Sequence, residues 1–540
     1  MASRSRAVFS TTIVFGVLVF GSELACAQRA ATIVIATGQE ATLPIPTLIS
    51  GTGNQDVADL LFLRLAALGP SLRTAGDEGF VPQLASSWQR RDSVTLVFDL
   101  DPAARWHDGV PVTAGDVVFT FTRARNPATG GHLAPAIRHI VSVSAEGARR
   151  VVITFDRAYN EQLYDAVFHV QPLPAHLVGT VPDSLFASSD FAQQPVGNGP
   201  YRWGRRVAGQ FVELTAVADH FLGRPHITRV IFRAAESPDA RLIMLLSGEA
   251  DASEGVVPPL SNLERLRRHK DIQLHTVPGS IVGYLLFNQR SPDDLSRAHP
   301  VLGDARVRHA ITLALNRHAI TRSLFGDFGD VPNGPTPQIF WIRGLAGPAE
   351  ARDTAQARRL LLQAGWRDSD RDGVLDRNGR PLALTLNIPA TSASRRQMGL
   401  EIQEQLRGLG IRVELSILAI PVFIERRNAG RFDMEIAAAS MDPTPSGIRN
   451  SWSCQSVGVP NANVGGYCDP RVDSLMAVAL TTSADPAPLW KTVLLQIRDD
   501  APAAFLYAPA KVVAIHRRFG TVTLTPWSPW STIYQWTVAP

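Results

Sequence analysis

An α/β fold spread over two to four domains is what this chain predicts, and three observations carry the prediction. At 540 residues the chain exceeds what a single hydrophobic core supports. Strand-like and helix-like apolar periodicities alternate along it without an internal repeat. The last stretch, 503–540, returns to strand-like segments rich in Trp and Tyr. Composition fits a globular protein, with 45% hydrophobic and 19% charged residues. The net charge of +4 comes from 53 basic and 49 acidic residues with no run of five like charges, so nucleic-acid and membrane-surface roles have no footprint.

The first residues read as an export signal spanning residues 1–27. Arg4 and Arg6 precede an uncharged apolar run from Ala7 to Gly21, and Ala25-Cys26-Ala27 offers an A-x-A cleavage site. The run is shorter than the roughly 20 residues that span a bilayer. A lipid anchor on Cys26 is the rival reading, disfavoured by Glu23 where such signals carry Leu. The mature protein is therefore expected outside the cytoplasm, in the periplasm.

Thr32–Ala36 reads as a short strand, and residues 54–65 as a helix with Val57, Leu60, Leu61 and Leu65 at helical spacing. Residues 94–100 (VTLVFDL) form a strand, Asp108-Gly109 a tight turn, and Thr113 caps a helix, with Asp116 completing an acidic capping box. Residues 151–155, 211–217 and 229–234 are further strands. Ser237-Pro238-Asp239 starts a helix that Gly248 ends. Residues 281–288 (IVGYLLFN) read as a buried strand, 307–325 as one helix, 353–364 and 394–407 as amphipathic helices, and 411–417 as a strand.

Two cysteines remain after the signal, Cys454 and Cys468. In an oxidising compartment a lone pair this close favours a disulfide over a soft metal site, which would want a third Cys or a His nearby. Asp368, Asp370, Asp372 and Asp376 are spaced like the opening of a calcium loop, but the twelfth position is Gly379 rather than Glu. Asp372-Gly373 and Asn378-Gly379 favour an exposed hairpin there. Nucleophile-elbow and H-E-x-x-H patterns are absent, and no two of the 13 His are four apart. No catalysis, cofactor or resident metal is called for.

Five segments in order carry a resemblance: Pro82 to Trp88 (PQLASSW), Trp106 to Val117 (WHDGVPVTAGDV), Pro195 to Tyr201 (PVGNGPY), Asp304 to Arg317 (DARVRHAITLALNR) and Asn463 to Asp473 (NVGGYCDPRVD). Together they resemble solute-binding family 5, the extracytoplasmic peptide, dipeptide and nickel binders of ABC importers. The residues themselves read mostly as scaffold: Trp88 and Trp106 as core aromatics, Gly197, Gly199 and Pro200 as a bend between domains.

The resemblance implies a two-lobed type II periplasmic binding fold with an extra inserted domain. Lobe I would comprise residues 28–73, 197–285 and 511–540, the insertion residues 74–196, and lobe II residues 286–510. It implies a non-enzymatic, monomeric subunit that captures a peptide or similar small solute between the lobes and delivers it to an ABC permease. In peptide-holding relatives an Asp ten positions after the aromatic of an FD-like pair binds the α-ammonium; counted from Phe432, that place is Asp442. Asp442-Pro443 is equally a turn start. Arg449, Asn450 and Trp452 follow closely: Arg449 could receive a carboxylate and Trp452 cover an apolar side chain, against plain surface or core roles. Tyr284 and Asn288 fit a hinge as well as a contact, and Glu40 faces the cleft in many relatives. Alternatives are a nickel complex, sugar or opine as cargo, a secreted hydrolase, or a sensory subunit docking on a chemoreceptor.

Overall fold

A computed structural model describes residues 31–255 and 260–539, so the expected export signal and Cys26 lie outside the described residues. A seven-stranded sheet organises the first lobe. Its order is Ile272–Val277, Lys511–His516, Ala252–Glu254, Thr32–Thr37, Arg229–Ala234, Phe211–Ala216, Tyr201–Val207. The strand TIVIAT runs parallel to both of its neighbours and is buried almost throughout, the reason its sequence is apolar without alternation. The final long strand, 511–516, returns antiparallel between two strands of this sheet, so both ends of the chain build one lobe.

The helix expected over 54–65 occupies Thr52–Leu61 and stops early. The Leu61 carbonyl accepts from the Asn198 and Gly199 amides at 2.9 and 2.8 Å, and the chain turns extended at Phe62. Gly197 and Gly199 are required by this approach: a Cβ on either would lie 1.9 and 2.3 Å from the Leu61 and Leu60 carbonyl oxygens. His107 locks the same junction. Its backbone N–H donates to the Gly197 carbonyl at 2.8 Å, its Nδ1 accepts from the Gly197 amide at 3.1 Å, and its Nε2 donates to the Gly199 carbonyl at 2.9 Å. This bonding needs the neutral ring, and burial lowers the His107 pKa from 6.5 to about 4.

Between those joints sits an antiparallel four-stranded sheet, ordered Ala85–Asp92, Thr95–Leu100, Arg150–Phe155, Ile140–Glu146. The helix Ala114–Arg125 has the predicted capping box, Thr113 and Asp116 exchanging side-chain and backbone bonds. Trp106 is 1% exposed and its Nε1 donates to Asp116 Oδ2 at 3.3 Å, which makes this segment a packing device.

The other lobe is built on a six-stranded sheet, ordered Gly329–Asp330, Ala503–Pro509, Ile281–Phe287, Met434–Ser440, Ala383–Pro389, Arg412–Leu418. The whole of Ile281–Phe287 pairs inside this sheet, so the crossing lies at 278–280 rather than at the expected 285/286 division. The cause is burial: six of its seven residues are buried, and a central strand cannot be split between lobes. The return crossing is at Ala510, and a Cβ on Gly279 would lie 2.0 Å from the Pro509 carbonyl oxygen, so the two crossings touch.

Of three other expectations, the first and last change and the hairpin holds. The single helix over 307–325 is two, Ala305–Ala314 and Arg317–Phe325, because Asn316 turns its side chain to cap the second, accepting from the Ala319 amide at 3.1 Å. The acidic loop is a hairpin, Asp376–Arg377 pairing Arg380–Pro381 across Asn378 and Gly379, both at positive φ. Asp368, Asp370 and Asp372 accept from the Gly373, Asp372 and Val374 amides, so they shape the turn. Past His516 the Trp-rich tail is mostly turns, with one short pair, Phe519–Gly520 and Thr537–Val538, and with Trp530 and Trp536 fully buried.

Candidate functional site

A cavity of about 1120 Å³ lies between the inserted domain and the second lobe. The insertion supplies one wall through Tyr159, Glu161, Tyr164, Asp165 and His169, carried on and around the helix Gln162–Val167. The second lobe supplies the other through the end of the strand Met434–Ser440, the turn and short helix over 444–456, and the end of the helix Pro470–Thr481.

The two walls are clasped together. Asn160 donates through its backbone to the Leu480 carbonyl at 3.0 Å and through Nδ2 to the Ala479 carbonyl at 2.6 Å. Arg73 pairs with Asp485 at 2.9 Å. Trp341 Nε1 donates to Thr74 Oγ1 at 3.2 Å. Deepest is Glu161 Oε1, which accepts from Thr74 Oγ1 at 2.8 Å within the insertion and from Thr444 Oγ1 at 2.5 Å across the cleft.

Of the six binding residues expected from sequence, four line this cavity: Asp442, Arg449, Asn450 and Tyr284. Asp442 follows the strand Met434–Ser440 and is exposed into the cleft, while Pro443 and the cap residue Thr444 start the turn behind it; it is wall and turn at once. The helix Ile448–Trp452 explains the split among its residues. Ile448 and Trp452, four apart, face the core, whereas Arg449 and Asn450 face the cavity.

Trp452 is therefore a core residue and not a lid over a side chain. It is 2% exposed and packs with ring centroids 5.6 Å from both Tyr284 and Phe505. Glu40 is also placed elsewhere. It pairs with Arg206 at 2.6 Å and accepts from the Gly209 amide at 3.1 Å, holding its loop on the edge hairpin of the first lobe. Asn288 is 1% exposed and binds the Gly430 and Phe432 carbonyls, a structural task. The Cys454–Cys468 disulfide closes a link of 14 positions just beyond the short helix, fixing the segment that presents Arg449 and Asn450.

Sequence reasoning passed over the insertion's contribution. Glu161 and Asp165 are four apart, a helical-face spacing in YNEQLYDAVFH that could have flagged them. Burial raises the Glu161 pKa against the pull of its hydroxyl donors. Burial likewise lifts Asp165 to about 7, opposed by the hydrogen bond from Tyr159 Oη at 2.6 Å and reinforced by Glu161. Tyr164 is pushed well upward, by burial first and then by Asp442, Glu161 and Asp165. Burial lowers the His169 pKa, with Asp442 pulling the other way.

The profile of the bacterial extracellular solute-binding proteins, family 5 (middle region), matches residues 79–458. The chain is 23% identical over 497 residues to the oligopeptide-binding protein AppA of Bacillus subtilis, covering 90% of this chain and 88% of that one. AppA in complex with a nonapeptide superimposes with a TM-score of 0.68 at 22% identity, over 94% of this chain and 99% of the other. NikA of Brucella suis in complex with Fe(III)-EDTA gives 0.78 at 19% identity over 94% and 99%. The ABC transporter substrate-binding protein CtaP of Listeria monocytogenes gives 0.77 at 20% over the same shares, 94% and 99%. The matched profile spans most of the chain, and the protein belongs to this family of extracellular solute-binding proteins.

Proposed function

We propose that this family 5 protein is the binding subunit of an ABC importer, capturing a peptide in the cavity between insertion and second lobe and delivering it to a membrane permease. One observation carries the reading: a cavity of about 1120 Å³, walled by two bodies and clasped by hydrogen bonds between them, with Asp442 exposed into it. A ligand shifts a closing equilibrium only by touching both bodies, and this cavity offers both. Asp442 serves as the anchor for the α-ammonium, since it has no Lys, Arg or His partner among the described residues. Arg449 and Asn450 take polar groups further along the ligand. Peptide import is favoured over a metal complex because the cavity wall offers one His, His169, beside His139 at its rim, the latter paired to Asp156 at 3.1 Å. Export by the N-terminal signal places the protein in the periplasm, working as a monomer.

The test is calorimetric. Asp442→Asn should weaken binding of a free-amine tripeptide by at least tenfold while changing its N-acetylated form less than twofold. Equal losses for the two forms remove Asp442 from the anchor role.

A further inference from the structure

Three carboxylates line the cavity: Glu161 and Asp165 from the insertion and Asp442 from the second lobe. None of the three forms an ion pair among the described residues, although Arg64, Arg427 and His139 nearby are each paired with another acid. At their centre stands Tyr164, 1% exposed, lining the cavity, its Oη buried without a hydrogen-bond partner. All three acids act electrostatically on that hydroxyl. Carboxylates left without an ion-pair partner, beside a buried hydroxyl without a hydrogen-bond partner, are a destabilising arrangement unless something positive completes it.

One ammonium answers only part of this. The α-amine of a peptide satisfies Asp442, which leaves Glu161 and Asp165 still without a cation on the opposite wall. We propose that this wall takes a second positive charge, so that the preferred cargo carries a Lys or Arg side chain at its amino end besides the α-ammonium. The inference rests on the importer reading above and deepens it. Arg138 pulls on Asp165 without pairing with it; both Arg138 and Arg157 donate to His139 Nε2, at 3.0 and 2.7 Å, and neither forms an ion pair with the three acids among the described residues. Tyr159 leaves Asp165 competent: it donates to Oδ2 only, and Oδ1 has no bond to a protein group among the described residues. Glu161 receives the Thr74 and Thr444 hydroxyls on Oε1, with Ser446 as a third hydroxyl partner, and all of these are neutral.

The experiment is isothermal titration with Lys-Ala-Ala, Ala-Ala-Ala and Glu-Ala-Ala, and with spermidine as a peptide-free dication, on the parent and on Asp165→Asn. Asn keeps the acceptor for Tyr159 and removes the charge. The parent should bind Lys-Ala-Ala at least tenfold tighter than Ala-Ala-Ala and at least a hundredfold tighter than Glu-Ala-Ala. In Asp165→Asn the ratio of the first two should fall by fivefold or more, a comparison internal to each protein and insensitive to its folded fraction. Equal affinities for Lys- and Ala-headed peptides in the parent, or an unchanged ratio in the variant, overturn the inference and leave peptide capture standing. Binding of spermidine with no peptide bound keeps the second cation site and refutes peptide capture. Binding of neither refutes both.

Discussion

Thr444→Val probes the clasp at its deepest point. Thr444 and Glu161 are 8% and 5% exposed, lie on opposite walls, and are joined at 2.5 Å from hydroxyl to carboxylate. Valine matches threonine in shape, so the change removes the donor without opening a cavity. A hydrogen bond to a charged group contributes about 1.5–3 kcal/mol net. Thr74 still donates to the same oxygen at 2.8 Å, so the carboxylate is not stranded and the lower part of that range applies. The bond exists only with the walls together, so its loss falls on the closed state; the same change also removes the cap on the Ser446 amide (3.1 Å), at a cost of about 1 kcal/mol to the second lobe. Ligand affinity should drop by about 10- to 30-fold, since each 1.4 kcal/mol is tenfold. The assay is titration with the tightest tripeptide at pH 8, alongside Thr444→Ser, which keeps the donor and should stay within threefold of the parent. X-ray scattering on the unliganded proteins should show a wider mean form for Val alone. A Val variant that binds within twofold of the parent refutes the reasoning.

Further expectations concern stability. Reducing the protein, or replacing Cys454 by Ser, removes a cross-link over 14 positions; on chain-entropy grounds it should cost the second lobe about 3 kcal/mol. That appears in calorimetry as a melting temperature of the lobe lower by roughly 6–12 °C, and an unchanged melt would mean the bridge is energetically idle. The His107 pKa of about 4 lies below its ordinary 6.5, so the folded protein excludes a proton that the unfolded chain takes up. Its contribution, of order 3 kcal/mol, is complete above pH 6.5 and is lost as pH falls toward 4. Asp165, raised to about 7, acts with the opposite sign, favouring the folded state as pH falls. Urea midpoints of the parent should therefore be compared with those of His107→Asn, whose side chain cannot charge: the variant should lack the acid slope, and parallel slopes would refute the assignment.

The scaffold was legible because its signals are local. The capping box at Thr113, the Ser237-Pro238 start closed by Gly248, and the Asn378-Gly379 hairpin are each written within a few residues and reappear as read. The break at Asn316 was hidden because the apolar spacing runs on through it, and only the side chain's choice of the Ala319 amide reveals it. Asp442, expected from the family spacing counted from Phe432, and Arg449 and Asn450, expected from their closeness to it in sequence, do line the cavity. Trp452 and Glu40 were misassigned because proximity along the chain does not say which face of a one-turn helix, or which side of a sheet edge, meets the cavity. Glu161 and Tyr164 were missed for the converse reason: their surroundings come from residues nearly 300 positions away, such as Thr444.

The seven-stranded first sheet contributes no side chain to the cavity wall among the described residues; the wall facing the second lobe comes wholly from the insertion, whose His107 is bonded to the exit junction at Gly197 and Gly199. One of the two cargo-facing walls is thereby written in a stretch of the gene separable from the first lobe's frame. A lineage could exchange that segment, keep both crossings at Gly279 and Ala510, and inherit a new diet without relearning how to shut.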